Sequence, residues 1–296
     1  MRKLMLICNP HAGKGISGEK LLEMTDFFNA SGFLPEIYFT KKDDDLKEVL
    51  NFARAEEAFL VCMGGDGMIN LLADSMIKND MILPFGYLPE GTTNDFAKST
   101  GIPVDFKRAL SASVSEEMRE TDVGSLSGRH FVYVAGFGLF TDVSYKTPQK
   151  TKNAFGYLAY VLEGAMSIAE FKLYRLKITV DHEEVIEGEF ILGMVTNSMS
   201  VAGMKSIAYD DTRLDDGMFE MLLLRKASNI GELSKLLSSV MAGNTNSPLI
   251  VYRQGRHFLF EGEELSWTID GEYGGTYSGS EIEVTGKKLK LRFTKS

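Results

Sequence analysis

The first 125 residues alternate apolar, strand-length runs with helix-like stretches, and this rhythm constrains the fold more than any other feature. KLMLIC precedes a helical pattern over 18–31, PEIYF one over 44–56, AFLVCM one over 67–78, and ILPFGYL two more over 93–100 and 104–115. Strands that are apolar throughout need cover on both faces, and a helix between strands provides it while returning the chain in parallel. An α/β domain with a parallel sheet is therefore predicted over 1–125.

Beyond residue 125 the texture changes. RHFVYVAGF, YRLKITV, VIEGEFILGMV, MFEMLLL, SWTID and KLKLRF alternate in the manner of antiparallel hairpins. They predict a β-sandwich-like domain over 126–286. Two helical stretches interrupt it. One, over 154–169, aligns Phe155, Leu158, Leu162, Ala165 and Ala169; the other, over 229–241, aligns Leu233, Leu236, Leu237 and Val240. Core packing is the first reading of both stripes, and the 154–169 helix is also the best candidate for part of an apolar ligand pocket.

Composition excludes several classes. A chain of 296 residues with 44% hydrophobic content and 7 prolines has enough material for two cores of ordinary size. No apolar run approaches the ~20 residues of a spanning helix, and MRKLMLICNP leads into turn residues rather than a cleavage site. Cys8 and Cys62 each close an apolar run, as small buried hydrophobes do, and a reducing cytoplasm is expected. The net charge of -9 argues against a nucleic-acid partner and against strong standing adsorption to anionic lipid.

Three turns at the carboxyl ends of the parallel strands concentrate the polar chemistry, where α/β sheets place their ligands. NPHAGKG, residues 9–15, offers Gly13, Lys14 and Gly15 to an anion but is not a P-loop. GGDG, residues 64–67, sets Gly64, Gly65 and Gly67 around Asp66 at a helix N-terminus, open to phosphate. Asp66 reads either as a cap or as a carboxylate that meets phosphate through Mg²⁺. LPEGTTNDFA repeats the theme with Gly91, Thr92, Thr93, Asn94 and Asp95. Together they suggest a nucleoside triphosphate with metal. A fourth turn, WTIDGEYGG, carries Asp270 and Glu272; phosphoryl transfer needs a group to receive the acceptor's proton, and Glu272 is a candidate.

In order along the chain, NPxxG, GGDG, GTxND, LDDG at 214–217 and DGE at 270–272 resemble the diacylglycerol kinase catalytic domain family, in particular its soluble bacterial lipid kinases. Sphingosine and ceramide kinases are related, and NAD kinases share the GGDG element. The resemblance implies an N-terminal nucleotide-binding domain, with 287–296 returning to it, and a β-rich lipid-acceptor domain. It implies ATP and Mg²⁺ as cofactors and a lipid alcohol such as diacylglycerol as acceptor, or a sphingoid base. It also implies transient peripheral membrane contact by a cytoplasmic protein, and allows a homodimer. Carried over by position, Asn9, Gly13, Thr40, Gly64, Gly65, Asp66, Gly67, Gly91, Thr92, Asn94 and Asp95 line the nucleotide site. Asp66, Asp270 and Glu272 are catalytic, with Glu272 the proton acceptor. Arg213, Asp216 and Met218 hold Mg²⁺, the first and last through main-chain carbonyls.

Two positions depart from the family pattern. Met68 stands where the family it resembles usually has Thr or Ser, and Tyr133 where it commonly has Asn. A lost hydroxyl contact at 68 is worth about 1 kcal/mol, a weakened rather than abolished site. A non-catalytic nucleotide or lipid sensor on the same fold is the rival reading.

Overall fold

The computed structural model describes residues 1–294 apart from 11, 14, 42–44, 93, 139–171, 198–199, 202–203, 206–212 and 242–243. The helix expected over 154–169, Lys14 and Thr93 lie outside the described residues. The chain forms two units, Met1–Thr121 with Lys287–Ser296, and Asp122–Gly286.

In the first unit the strand–helix rhythm gives β1 (Arg2–Cys8), α1 (Gly18–Ala30), β2 (Phe33–Phe39), α2 (Lys47–Ala55), β3 (Phe59–Gly64), α3 (Asp66–Lys78), β4 (Phe85–Pro89), α4 (Asp95–Thr100) and α5 (Phe106–Ser113). Strand β1 pairs in parallel with β2 and with β3, and β3 pairs in parallel with β4. The order β2–β1–β3–β4 means that the winding direction reverses between β1 and β3. Ligands of such sheets sit at that reversal. Leu4, Leu6, Met24, Phe28, Val61, Leu88 and Leu110 form one buried cluster, the consequence of strands that are apolar along their length. The expected run ILPFGYL enters the sheet only at Phe85, after Pro84, whose ring removes a ladder donor.

The second unit holds most of β5 (Met118–Leu126), then β6 (Arg129–Phe131), β7 (Val134–Gly138), β8 (Tyr174–Val180), β9 (Glu184–Thr196), β10 (Ser200–Val201), β11 (Met204–Lys205), β12 (Phe219–Arg225), α6 (Ile230–Met241), β13 (Ile250–Gly255), β14 (His257–Ile269) and β15 (Glu272–Arg292), whose last residues belong to the first unit. The long strands β9 and β14 each pair antiparallel with β8 along one half and with β7 along the other. Phe137 packs edge-on against Tyr174, Phe260 and Trp267, with ring centroids 5.4, 6.0 and 5.0 Å away. Trp267 is fully buried and satisfies its indole N–H on Ser280 Oγ at 3.0 Å.

RHFVYVAGF is not one strand, as its alternation suggested. It breaks between β6 and β7 at Val132 and Tyr133, because the amides there turn to a side chain from another hairpin.

Candidate functional site

In the first unit, the loops leaving β1, β3 and β4 are tied by their backbones. Asn9 donates its N–H to Met63 O at 3.0 Å, Glu90 N–H to Gly64 O at 2.8 Å, and Thr40 N–H to Cys8 O at 2.9 Å. Tyr87, fully buried beneath them, adds its hydroxyl to Gly64 O at 3.0 Å, and burial holds its pKa well above the ordinary tyrosine value.

The glycines have a more specific reason than openness to phosphate. A Cβ on Gly65 would come within 3.0 Å of Gly91 Cα, and one on Gly91 within 2.7 Å of Gly65 Cα. These two loops therefore touch backbone to backbone, which only glycine at both positions allows. A Cβ on Gly64 would stand 2.6 Å from Met68 Cβ and 2.8 Å from its Cγ. Met68 is 3% exposed, so it occupies core space on the inner side of the turn. Gly67, by contrast, is exposed.

Asn94 takes the left-handed conformation, with φ 50°. Its Oδ1 accepts the Gly91 N–H at 2.7 Å, and its Nδ2 donates to Gly91 O at 3.1 Å, which closes the Gly91–Asn94 turn on itself. Asp66 then joins the turns. Its Oδ2 accepts from Asp95 N–H at 3.2 Å and its Oδ1 from Phe96 N–H at 3.0 Å, so the carboxylate caps the first turn of α4 from a distant loop. Asp66 and Asp95 are both buried, at 9% and 6% exposure. The structure thus brings Gly64, Gly65, Asp66, Gly91, Asn94 and Asp95 together, with Asn9 beside Gly64 and Gly13 against the carbonyl of Glu90. Thr92 is exposed, and Thr40 is half-buried at the end of β2.

In the second unit, Asp270 and Gly271 form the two-residue loop of the β14–β15 hairpin, both at positive φ (50° and 85°). That is the Asp-Gly signature of a tight hairpin. The Asp270 carboxylate, 3% exposed, accepts three amides, from Val132 at 2.8 Å, Tyr133 at 3.0 Å and Val134 at 3.1 Å. It is therefore held as a clamp on the 132–134 segment. Glu272 is exposed, two residues past this clamp. Tyr133 is buried, with its hydroxyl 3.9 Å from where a Cβ of Gly271 would lie.

The 213–218 loop has a wiring of its own. Asp216 Oδ1 accepts the Met218 N–H at 2.9 Å, and Asp122 Oδ2 accepts the Gly217 N–H at 2.6 Å. Asp122 N–H donates to Leu214 O at 2.7 Å. Just beyond, Glu220 is 4% exposed, and its Oε2 finds no hydrogen-bond partner among the described residues. Burial, and to a lesser extent the Asp216 charge, pushes its pKa up to about 7.

Sequence reasoning missed Asp122, Asn197 and Tyr87, each buried and polar-bonded at these loops. A carboxylate within the strand-like RETDVGSL was the visible signal for Asp122; Asn197 and Tyr87 sit in ordinary strand contexts with none.

Residues 3–126 match the family model described as "Diacylglycerol kinase catalytic domain", and residues 136–292 match "YegS C-terminal NAD kinase beta sandwich-like domain". A "Diacylglycerol kinase" of Bacillus subtilis is 30% identical over 96% of this chain and 94% of its own length. One of Staphylococcus aureus is 30% identical over 93% of this chain and 87% of its own. The crystal structure of a putative diacylglycerol kinase from Bacillus anthracis superposes with a TM-score of 0.81 at 22% identity, over 99% of this chain and 97% of that one. An NAD kinase from Archaeoglobus fulgidus in complex with ATP gives a TM-score of 0.51 at 12% identity, over 98% and 93% of the two chains. Two clasped glycine turns followed by a clamped Asp-Gly-Glu hairpin, on a chain with these matches, place it in the diacylglycerol kinase catalytic domain family of lipid kinases.

Proposed function

We propose that the chain transfers the γ-phosphoryl group of ATP to the primary hydroxyl of diacylglycerol or a similar lipid alcohol at a membrane surface. The observation that carries the nucleotide half of this reading is the Asp66 clasp, which fixes the glycine turns of β3 and β4 against each other at the sheet's reversal point. The exposed Gly67 amide end of α3, a helix of 13 residues, is then a fixed donor edge for the triphosphate. Asn9, Gly13, Thr40, Thr92, Asn94 and Asp95 border it.

In this reading Glu272 receives the proton of the acceptor hydroxyl as its oxygen bonds to the γ-phosphorus. The bond from that phosphorus to the β–γ bridging oxygen breaks, and ADP leaves. Asp270 works by aiming Glu272 rather than by touching substrate, since three amides occupy its carboxylate. Asp66 orders the turns, and its charge would meet the triphosphate through a divalent cation.

The 213–218 loop fits Mg²⁺: its donors are hard oxygens, Asp216 is exposed, and Glu220 Oε2, which has no hydrogen-bond partner among the described residues, is a buried acceptor nearby that a cation would relieve. Arg213 and Met218 would contribute main-chain carbonyls, and Asp216 its carboxylate. Bound Mg²⁺ supplies charge neutralisation and loop rigidity.

Met68, which motivated the sensor reading, is buried against Gly64, so its side chain leaves the phosphate edge to backbone amides. The test is transfer of label from [γ-³²P]ATP to a panel of lipid alcohols in mixed micelles, with Glu272→Gln as control. A labelled phospholipid lost in the mutant supports the kinase and names the acceptor. No labelled lipid from wild-type protein that binds ATP overturns it.

A further inference from the structure

The loop assigned to Mg²⁺ and the turn that carries Glu272 are joined through one buried residue. Asn197 follows β9 and is 2% exposed. Its side-chain Nδ2 donates to Leu214 O at 3.2 Å and to Asp122 O at 3.0 Å. Its main-chain N–H donates to Tyr133 O at 3.0 Å. The Tyr133 N–H in turn donates to Asp270 Oδ1 at 3.0 Å, and Asp270 N–H closes the frame on Val134 O at 2.9 Å. A continuous hydrogen-bonded path thus runs from the 213–218 loop, through Asn197 and Tyr133, to the residue that sets the Glu272 turn.

The chemistry favours asparagine. Its amide carries two hydrogens on one nitrogen, which is what a single side chain needs to hold two carbonyls. Aspartate at this position would have no donor, and glutamine would carry the nitrogen one methylene too far. Asn197, Asp122, Tyr133 and Asp270 are buried, at 2%, 1%, 5% and 3% exposure, so little solvent competes for the bonds among them. Asp122 stiffens the loop end of the path by binding both Leu214 O and Gly217 N–H.

We infer that Asn197 is a positioning residue that couples the 213–218 loop to the Asp270–Glu272 turn, so that a divalent cation in the loop sets the direction in which Glu272 is presented. The inference rests on the reading of Glu272 as proton acceptor and of the loop as a cation site. Coupling of this kind is reciprocal and needs no movement larger than the seating of one peptide plane.

Hydrogen–deuterium exchange on wild-type protein and Asn197→Ala, with and without MgCl₂ and without nucleotide, tests it. In wild type, Mg²⁺ should slow exchange both in the 213–218 loop and in segments 132–134 and 270–273. In Asn197→Ala the loop should still be protected and the turn should not. In the lipid kinase assay the variant should lose about tenfold in kcat with an unchanged KM for ATP, and Glu272→Gln should cost less in its background than in wild type. Equal protection of the turn in the variant, or loop protection without turn protection in wild type, overturns the coupling. No Mg²⁺ protection of the loop overturns the cation site on which it rests. If Asn197→Ala fails to fold, the nearly isosteric Asn197→Asp, which removes the side-chain donor, takes its place with the same expected and overturning outcomes. A wild-type enzyme that labels no lipid refutes the kinase reading, while the exchange experiment continues to report on the coupling alone.

Discussion

Asp66 Oδ1 accepts the backbone N–H of Phe96 at 3.0 Å, thirty residues along the chain, so a helix N-terminus is capped by a side chain that belongs to a different loop. A carboxylate in this position steadies α4, and in the proposed reading the same charge meets the phosphates through a divalent cation. Asp66→Ala should therefore lower stability by about 1–2 kcal/mol, as cap removals do, and abolish phosphoryl transfer. Asp66→Asn, which keeps one acceptor oxygen, should recover most of the stability but little of the activity. Denaturant melts paired with the lipid assay separate the two roles; a variant that loses both in proportion would show that Asp66 only builds the site.

Met68→Thr puts the hydroxyl that the family resemblance leads one to expect into a chain whose core has closed around methionine. The exchange removes buried volume and buries a hydroxyl, and a loss of about 1–3 kcal/mol follows. No gain in kcat should accompany it. A faster enzyme would mean that the hydroxyl reaches the phosphates and that the inward packing of Met68 is not what shapes the turn.

Gly91→Ala tests the backbone contact between turns. Its new methyl would lie 2.7 Å from Gly65 Cα, a backbone atom that cannot swing aside, and 2.8 Å from Asn94 Oδ1, the side-chain oxygen that accepts the Gly91 N–H. ATP affinity should fall by about tenfold or more, with a lower melting temperature. Isothermal titration with a non-hydrolysable ATP analogue gives the answer without depending on turnover. Affinity within error of wild type would show that the two turns need not touch.

Cys8 offers a pH test. Burial pushes its thiol up to about 12 from 9.0, and Cys62, fully buried beside it in the sheet, moves in the same direction. A raised acid pKa means that the folded chain keeps its proton while the unfolded chain releases it. Stability is unaffected below pH 9 and declines as pH rises from 9 toward 12. At pH 8 both thiols should resist Ellman's reagent until denaturant is added, then react together. Rapid labelling of the native protein would contradict the burial of both strands' ends.

Much of the first unit was readable because its signals are local. Each strand or helix lies within one apolar run, and a helix such as α3 begins where GGDG says it should. The second unit was readable where burial alternates, as in β8, or where a strand is apolar along its length, as in β12. Strand β15 spans 21 residues, but its middle, TYSGSEIEVTG, is rich in glycine, serine and glutamate, and it shows no consistent period. Strand β13 fails for a similar reason, since only Ile250, Val251 and Gly255 of its six residues are buried. The wiring of the site was the least legible part. Asp270 reads as a bland turn residue until its carboxylate meets amides more than 130 residues earlier, and Asn197 carries no motif at all. Hydrogen bonds across such separations leave no spacing in the sequence to detect.

The membership of Lys287–Ser296 in the first unit has a consequence for biosynthesis. Leu291 pairs in parallel with Phe85 of β4, yet the ribosome makes it only after the entire second unit. Until then the nascent chain carries a parallel sheet with β4 as an open edge, and an open edge invites pairing with other chains. The first unit is therefore begun first and finished late. Its completion acts as a checkpoint on translation: a ribosome that stops short of residue 287 releases a chain whose sheet still lacks that strand, a ready client for chaperones and proteases.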